Sequence, residues 1–359
     1  MPRKAAVPLC DYEARRIALI KPSALGDILH SLPVLTALRR RYPQAQITWI
    51  INRAYQPLLD GHPHLDASLA FDRGALRHGW WRGMKTYASF VQQLRRRQFD
   101  LVVDLQGLMR TGLMSVATGA RRRVGLSSAR EGARWTYSDV LAVDDFHAMH
   151  AVDRYWLVAN ALGVGGDPKE FQLAINPGMV SWAERELQGC PRPWIMLAVG
   201  SRWVTKRWLP QHFGLLVRQA QEEYGGTAVF VGTDDEAHLA RETAGFLAGP
   251  FRDLSGATSL PQLAAILSLA DVMVANDTGP LHLAAALGRP VVAPYTCTKV
   301  RLNGPYGAEA STVEARIWCQ GSYLKRCARL ECMAELTPDL LWPLLQDILK
   351  RWPARSRSA

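Results

Sequence analysis

The sequence predicts an α/β protein built from two similar domains, each a largely parallel sheet covered by helices. Three observations predict it. Short apolar runs of strand length alternate with segments of helical spacing, the pattern of a parallel sheet buried on both faces. The alternation occurs twice, once in each half of the chain. The length of 359 residues, 48% of them apolar, is ample for two buried cores.

In chain order, Ile17-Ala18-Leu19-Ile20 reads as a first strand. The loop Lys21-Pro22-Ser23-Ala24-Leu25-Gly26-Asp27 follows. A helix is predicted from Ile28 to Tyr42, on the spacing of Ile28, Leu29, Leu32, Leu35 and Leu38. Ile47 to Ile51 and Leu101 to Leu105 are the next strands, with a helical segment from Tyr87 to Arg97 between them. In the second half, Trp194 to Val199, Thr227 to Val231, Val272 to Ala275 and Pro290 to Pro294 are strands. Pro210 to Tyr224 and Leu260 to Leu269 are helices. The expected boundary lies near Asn176-Pro177-Gly178, with an amphipathic segment from Val180 to Gln188 behind it. This gives domains 1–178 and 179–359, the last helix being a candidate to pack back on the N-terminal domain. Two such domains facing each other would form a cleft at the carboxyl ends of both sheets, where open α/β sheets bind ligands.

Charge narrows the partners. The net charge is +11 and is uneven: Lys and Arg outnumber Asp and Glu by 24 to 15 in residues 1–180, and by 19 to 17 in residues 181–359. An anionic acceptor, a membrane surface or nucleic acid would suit the N-terminal half. Nucleic acid is disfavoured, because the basic residues are scattered and no recognised module is present. No apolar run of about 18 residues predicts a membrane span, and Met1 to Arg16 has no apolar signal core, so a cytoplasmic setting is expected. Six cysteines in so long a chain do not resemble a secreted disulfide framework. Cys319, Cys327 and Cys332 lack the tight pairs of a zinc site, so free thiols are expected. His147 and His150 flank Ala148-Met149 and read as polar residues rather than a metal pair. No metal or cofactor is expected.

Four loops at predicted strand ends carry candidate chemistry. The most informative is Val274-Ala275-Asn276-Asp277-Thr278-Gly279-Pro280-Leu281-His282-Leu283. A strand there stops at an Asp-Thr-Gly turn and a small-residue helix opens at once. Its free N–H groups and dipole suit a phosphate, and Asp277 and Thr278 are candidates to cap the turn. His282 falls in the first helical turn. The loop with Ser23, Gly26, Asp27 and His30 offers Asp27 either as an N-cap or as a general base. The loop from Gly200 to Trp208 combines Ser201, Arg202, Lys206 and Arg207 with indoles, fit for a diphosphate or for plain solvation. In Gly232-Thr233-Asp234-Asp235-Glu236, an acid past a strand glycine can reach a ribose or simply favour a helix start. No Walker motif, no Gly-x-Gly-x-x-Gly after the first strand and no Gly-x-Ser-x-Gly elbow is present.

Together these loops resemble glycosyltransferase family 9, the lipopolysaccharide heptosyltransferases, over nearly the whole chain. The most specific stretches are Lys21 to Pro33, closest to the heptosyltransferase I pattern, and Asp277 to His282. Asp104-Leu105-Gln106-Gly107-Leu108, Ser128-Ala129-Arg130-Glu131 and His150-Ala151-Val152-Asp153-Arg154 are also similar. The resemblance implies a GT-B fold, two Rossmann-like domains facing across a cleft. It implies inverting, metal-independent transfer of heptose from ADP-L-glycero-β-D-manno-heptose to the Kdo region of an anionic lipid A acceptor, at the inner face of the cytoplasmic membrane. Asp27 matches the catalytic base. Lys206 matches the diphosphate lysine, Ser201 a phosphate-loop hydroxyl and Glu236 the ribose acid. Asp277, Thr278, Gly279 and His282 match the donor-binding turn, Asp277 near heptose hydroxyls. Ser23, Gly26, His30, Arg77, Arg82 and Arg130 are the expected acceptor contacts. Arg73, Lys85, Arg121, Arg122 and Arg123 are further candidates, at least half of this basic set being expected as plain surface charge. Trp80-Trp81-Arg82 is a candidate for the membrane interface.

Two departures leave donor and acceptor open. Ser201-Arg202-Trp203 stands where a Thr-Thr pair is usual, and the Cys319–Cys332 cluster looks more like heptosyltransferase II. Another nucleotide sugar or glycan acceptor on the same fold is one alternative. A non-catalytic nucleotide or anionic-glycan binding protein is the other, and it would have no need of an acid at Asp27.

Overall fold

The computed structural model describes residues 7–72 and 80–355, with side chains of 80–83 and 353–355 left aside. The chain divides into two compact units, Met1–Ala174 and Ile175–Ala359.

The first unit holds a six-stranded sheet: β1 (Arg16–Ile20), β2 (Gln46–Asn52), β3 (Ala67–Phe71), β4 (Leu101–Asp104), β5 (Arg122–Leu126) and β6 (Asp139–Leu141). The order is β3-β2-β1-β4-β5-β6, every pairing parallel. The second unit repeats it with β7 (Trp194–Ala198), β8 (Thr227–Phe230), β9 (Phe251–Asp253), β10 (Val272–Ala275), β11 (Val291–Tyr295) and β12 (Thr312–Glu314), in the order β12-β11-β10-β7-β8-β9. Each sheet therefore reverses direction beside its first strand, the doubly wound order in which ligands bind at the reversal. The reversal falls between β1 and β4 in one unit and between β7 and β10 in the other. The central strands β4, β8 and β10 are buried throughout, which is why they read as continuous apolar runs.

Several elements depart from expectation for local reasons. The helix expected from Ile28 to Tyr42 is two, Leu25–Leu29 and Leu32–Arg41. Pro33 stands near the start of the second, where its missing N–H costs nothing. Ser31 at the break donates its hydroxyl to the Asp27 carbonyl. The helix expected at Tyr87 begins at Trp80. The final helix, Pro338–Arg355, enters the core of its own unit through Leu341, Leu345 and Leu349, which share one helical stripe and pack with Trp208 and Phe213. Among the described residues, no helix is long and apolar enough to cross a membrane.

Candidate functional site

Both reversal points carry polar residues from the loops singled out above. In the first unit, Lys21 leaves the end of β1 and its side chain turns inward. Nζ donates to the Leu105 carbonyl at 3.1 Å and to the Tyr155 hydroxyl at 2.7 Å, and lies 3.9 Å from Asp27 Oδ2. Burial alone would lower its pKa. Asp27, the Tyr155 hydroxyl and Asp104 outweigh burial and raise it, so Lys21 keeps its proton. The Tyr155 hydroxyl also reaches Asp27 Oδ1 at 3.5 Å.

Asp27 is not the N-cap that the sequence offered. It is the third residue of the helix Leu25–Leu29, and its Oδ2 accepts the Ala24 backbone N–H at 3.3 Å. The short helix begins early because Leu25 and Gly26 already belong to it, which leaves Ala24 at the cap. The Asp27 side chain is 40% exposed, while that of Lys21 is buried. The carboxylate is thus held from behind by Lys21 and Tyr155 and open in front. Ser23 N–H donates to Gln106 Oε1 at 3.4 Å, tying the β1 loop to the β4 loop across the reversal. His30 is buried, edge-on to His150 at 5.2 Å. His150 accepts the Val152 N–H and caps the helix Ala151–Ala161 that carries Tyr155. Behind the β4 loop, buried Asp104 accepts N–H groups of Gln106 and Gly107 and the Tyr137 hydroxyl at 2.8 Å. Burial raises its pKa more than these hydrogen bonds lower it.

The basic residues of this unit divide. Arg122 forks onto Asp139 and donates to the Val7 carbonyl, while Arg123 donates to the Thr136 and Ala120 carbonyls. Both are anchored to their own unit on β5 and the neighbouring β6 segment, the plain role the sequence left open for part of this basic set. Lys85, Arg121 and Arg130 are exposed. Arg73, Arg77 and the side chains of Trp80, Trp81 and Arg82 lie outside the described residues.

In the second unit, Asp277 stands two residues past the end of β10 and is almost wholly buried. Oδ2 receives Lys206 Nζ at 2.5 Å and the Thr298 hydroxyl at 2.6 Å, and Oδ1 lies 3.2 Å from His282 Nε2. The buried Tyr295 hydroxyl lies close by, its pKa pushed up by burial and by the Asp277 charge. Burial would raise the Asp277 pKa, but His282 and Lys206 more than reverse this and hold it well below the usual carboxylate range. Lys206 also donates to the Asp277 carbonyl at 3.3 Å and stands over the Trp203 ring at 4.7 Å. Lys325 stands over the same ring at 5.4 Å. Asn276, fully buried, accepts the Trp208 N–H and donates to the Val199 carbonyl, so it fastens the β7 loop to the end of β10.

The helix Gly279–Ala286 follows with Thr278 at its cap position, but no side chain caps it. The Thr278 hydroxyl turns back to the Asn276 carbonyl, and Asp277 is spent on Lys206 and His282. The capping expected of Asp277 and Thr278 is therefore absent, and the first N–H groups of the helix remain for another acceptor. Ser201 is buried and accepts the Trp203 N–H at 3.4 Å. Glu236 accepts the Thr233 N–H at 3.1 Å and lies over Gly200, where an added Cβ would stand 2.1 Å from its Cδ. Glycine at 200 is what lets the acid sit between the ends of β7 and β8.

Sequence reasoning missed Tyr155, Asn276, Tyr295 and Thr298. Asn276 carried a signal, a polar residue closing an apolar strand. Thr298 and Tyr295 carried none, because only the β10–β11 pairing brings them to Asp277. The cysteines are free: Cys332 is buried, and Cys319 and Cys327 are half-buried. Among the described residues, no His, Cys, Asp and Glu side chains group as a metal site.

The family model described as glycosyltransferase family 9 (heptosyltransferase) matches residues 87–333. The chain belongs to glycosyltransferase family 9. This family 9 chain is 29% identical over 325 residues to lipopolysaccharide heptosyltransferase 1 of Pseudomonas aeruginosa, covering 87% of each. It is 25% identical over 304 residues to lipopolysaccharide core heptosyltransferase OpsX of Haemophilus influenzae, covering 84% of each. Among solved structures, E. coli heptosyltransferase WaaC with ADP superposes with a TM-score of 0.74 at 23% identity, over 93% of this chain and 99% of that one. The two Rossmann-type sheets are those of the GT-B fold.

Proposed function

We propose that this chain is an inverting, metal-independent heptosyltransferase of lipopolysaccharide core assembly, with ADP-L-glycero-β-D-manno-heptose as donor and the Kdo region of lipid A as acceptor. It works at the inner, cytoplasmic face of the membrane without crossing it. The observation that carries the reading is the uncapped helix start at Gly279 beside the Lys206–Asp277–His282 group, at the reversal point of the second sheet. An anionic diphosphate suits those free N–H groups. The solved relative named above carries ADP.

Asp27 takes the proton of the acceptor hydroxyl, and that oxygen attacks the anomeric carbon opposite the departing ADP. One displacement inverts the configuration. Lys21 and Tyr155 hold the carboxylate in place and leave its open side to the acceptor. Lys206, Ser201 and the helix N-terminus take up the charge growing on the leaving diphosphate. Glu236 meets the ribose, and Asp277, besides orienting Lys206, faces the heptose. Ser23, Gly26, His30 and Arg130, with Arg77 and Arg82, serve the acceptor side.

The test is ADP release on incubation with ADP-heptose and a Kdo-bearing acceptor, beside a thermal-shift screen of ADP-, UDP- and GDP-sugars. At a hundredfold excess over Kd a true ligand stabilises by about 2.7 kcal/mol. Asp27→Ala is expected to lower turnover by roughly 10²–10⁴-fold, the usual worth of a positioned base, with ADP binding unchanged. Near-wild-type turnover removes Asp27 from the role. One observation favours a second reading, the same chemistry with another nucleotide sugar: Trp203 between Lys206 and Lys325 presents an aromatic surface beside the phosphate loop.

A further inference from the structure

The outer surface of the first unit carries a line of exposed apolar side chains that the proposed chemistry does not use. Trp135 is 79% exposed, Leu113 50% and Val116 47%. Met109, Leu113 and Val116 fall on one stripe of the helix Met109–Ala117. Trp135 extends the stripe past the helix start. A Cβ built on Gly132 would lie 3.1 Å from Met109 Cε and 3.7 Å from Trp135 Cδ1, so both side chains flank that glycine. The turn Ala133–Thr136 that holds Trp135 is seated on the helix through Gly112, where a Cβ would stand 2.6 Å from Thr136 Oγ1. This close seating leaves Trp135 turned outward. The neighbouring helix Trp80–Arg96 packs against Met109–Ala117 and exposes Met84 and Tyr87.

Charge on the same elements has one sign. The three segments Trp80–Arg96, Met109–Ala117 and Ala133–Thr136 contain Arg82, Lys85, Arg95, Arg96, Arg110 and Arg134, and no Asp or Glu. Arg134 lies over the Trp135 ring at 4.8 Å. The nearest flanking acid in sequence, Glu131, is directed to the Met109 N–H at the helix start. Exposed Trp, Leu and Val bordered by exposed cations such as Lys85 and Arg134 is the composition of a surface that enters the interface of an anionic bilayer: the apolar groups enter the headgroup boundary and the cations meet lipid phosphates.

We propose that this face, centred on Leu113, Val116 and Trp135, docks the protein on an anionic lipid bilayer. The line begins beside the β4 loop, since Arg130 N–H donates to the Gly107 carbonyl and Gln106 is bonded to Ser23 in the Asp27 loop. A bilayer against Trp135 therefore brings lipid headgroups to the acceptor side of the first unit. The proposal deepens the reading of a lipid-borne acceptor, but its test needs neither donor nor acceptor, so either can fail without the other.

The test is flotation of the full chain with vesicles of phosphatidylglycerol and phosphatidylethanolamine, beside vesicles of phosphatidylcholine alone. The wild type is expected to float with the anionic vesicles and to be released by salt. Trp135→Ser/Leu113→Ser is expected to weaken vesicle binding by about tenfold, the loss of two partly inserted apolar side chains. Both positions are on the surface, and an unchanged melting temperature checks the fold. Arg134→Glu/Lys85→Glu is expected to weaken binding to the anionic vesicles and leave binding to the neutral ones unchanged. Equal flotation of wild type and both variants overturns the proposal, as does a wild type that ignores anionic vesicles at low salt. Sedimentation showing a dimer that Trp135→Ser/Leu113→Ser dissociates would instead give the face to a second copy of the chain.

Discussion

Replacing Asp277 by Asn keeps the shape of the side chain and removes the charge on which the second unit's site is organised. Oδ2 receives a lysine ammonium at 2.5 Å and a hydroxyl at 2.6 Å. At an effective dielectric of about 20, the ionic attraction alone is about 6–7 kcal/mol before desolvation is subtracted. An Asn amide must turn its NH₂ toward one set of donors, which leaves Lys206 without its counter-charge. Breaking a buried pair by removing one partner typically costs about 3–5 kcal/mol. The Lys206 side chain is 17% exposed and relaxes partly toward water, so the lower end, about 3 kcal/mol, is expected at pH 7. The pH dependence follows from the depressed pKa of Asp277. Its stabilisation is fully present above the unfolded value of about 3.9 and is lost as pH falls toward the folded value. The gap between wild type and Asp277→Asn should therefore narrow below about pH 4. The assay is hydrogen exchange of the β10 amides, Val272–Ala275, in urea titrations of the full chain at several pH values. A cost under about 1 kcal/mol at pH 7, or a gap indifferent to acid, would refute this account of the ion pair.

Three further outcomes are expected. Gly200→Ala puts a methyl where Glu236 lies and displaces a flexible carboxylate rather than backbone, so stability should fall by no more than about 1 kcal/mol while ADP affinity falls as far as in Glu236→Gln; calorimetric titration of both variants with ADP checks it. Tyr137→Phe removes a donor from buried Asp104 and should cost about 1–3 kcal/mol in a urea melt of the full chain, larger at high pH, where Asp104, short of one donor, is charged. Cys327 should alkylate with iodoacetamide well before Cys332 at neutral pH: the Leu330 and Arg329 N–H groups lower the Cys327 pKa, while burial pushes Cys332 up to about 11. Peptide mass mapping over time reads the order.

The fold was legible because its strands are buried on both faces and its helices are not. Runs such as Val272–Ala275 and a helix such as Pro210–Tyr224 matched the prediction residue for residue. Boundaries failed where a local bond competes with periodicity, as at Ser31, whose hydroxyl turns to the Asp27 carbonyl between two helices of continuous apolar spacing. The site was legible as loops and not as bonds. Asp277, His282, Lys206 and Asp27 could be singled out from their places at strand ends. That Asp277 turns away from its own helix to Lys206 and Thr298, or that Tyr155 backs Asp27, depends on contacts 71, 21 and 128 residues apart. No short window holds that information.

Those contacts also show one device used twice. In each unit a lysine from the loop after the first strand crosses the reversal point. It donates to a carbonyl at the end of the fourth strand, Lys21 to Leu105 and Lys206 to Asp277. The geometry of a doubly wound sheet calls for such a group. Crossovers leave in opposite directions at the reversal, so no covering helix lies over the ends of the two central strands. Their last carbonyls need a donor. A lysine long enough to span the gap supplies it and brings a positive charge to the crevice. What differs is access. The Lys21 side chain is sealed behind Tyr155, so its charge acts only through the Asp27 carboxylate in front of it. Lys206 keeps an exposed edge under the Trp203 ring and can act on a ligand directly. The same bridge thus holds a carboxylate in place in one unit and leaves a cation partly exposed in the other.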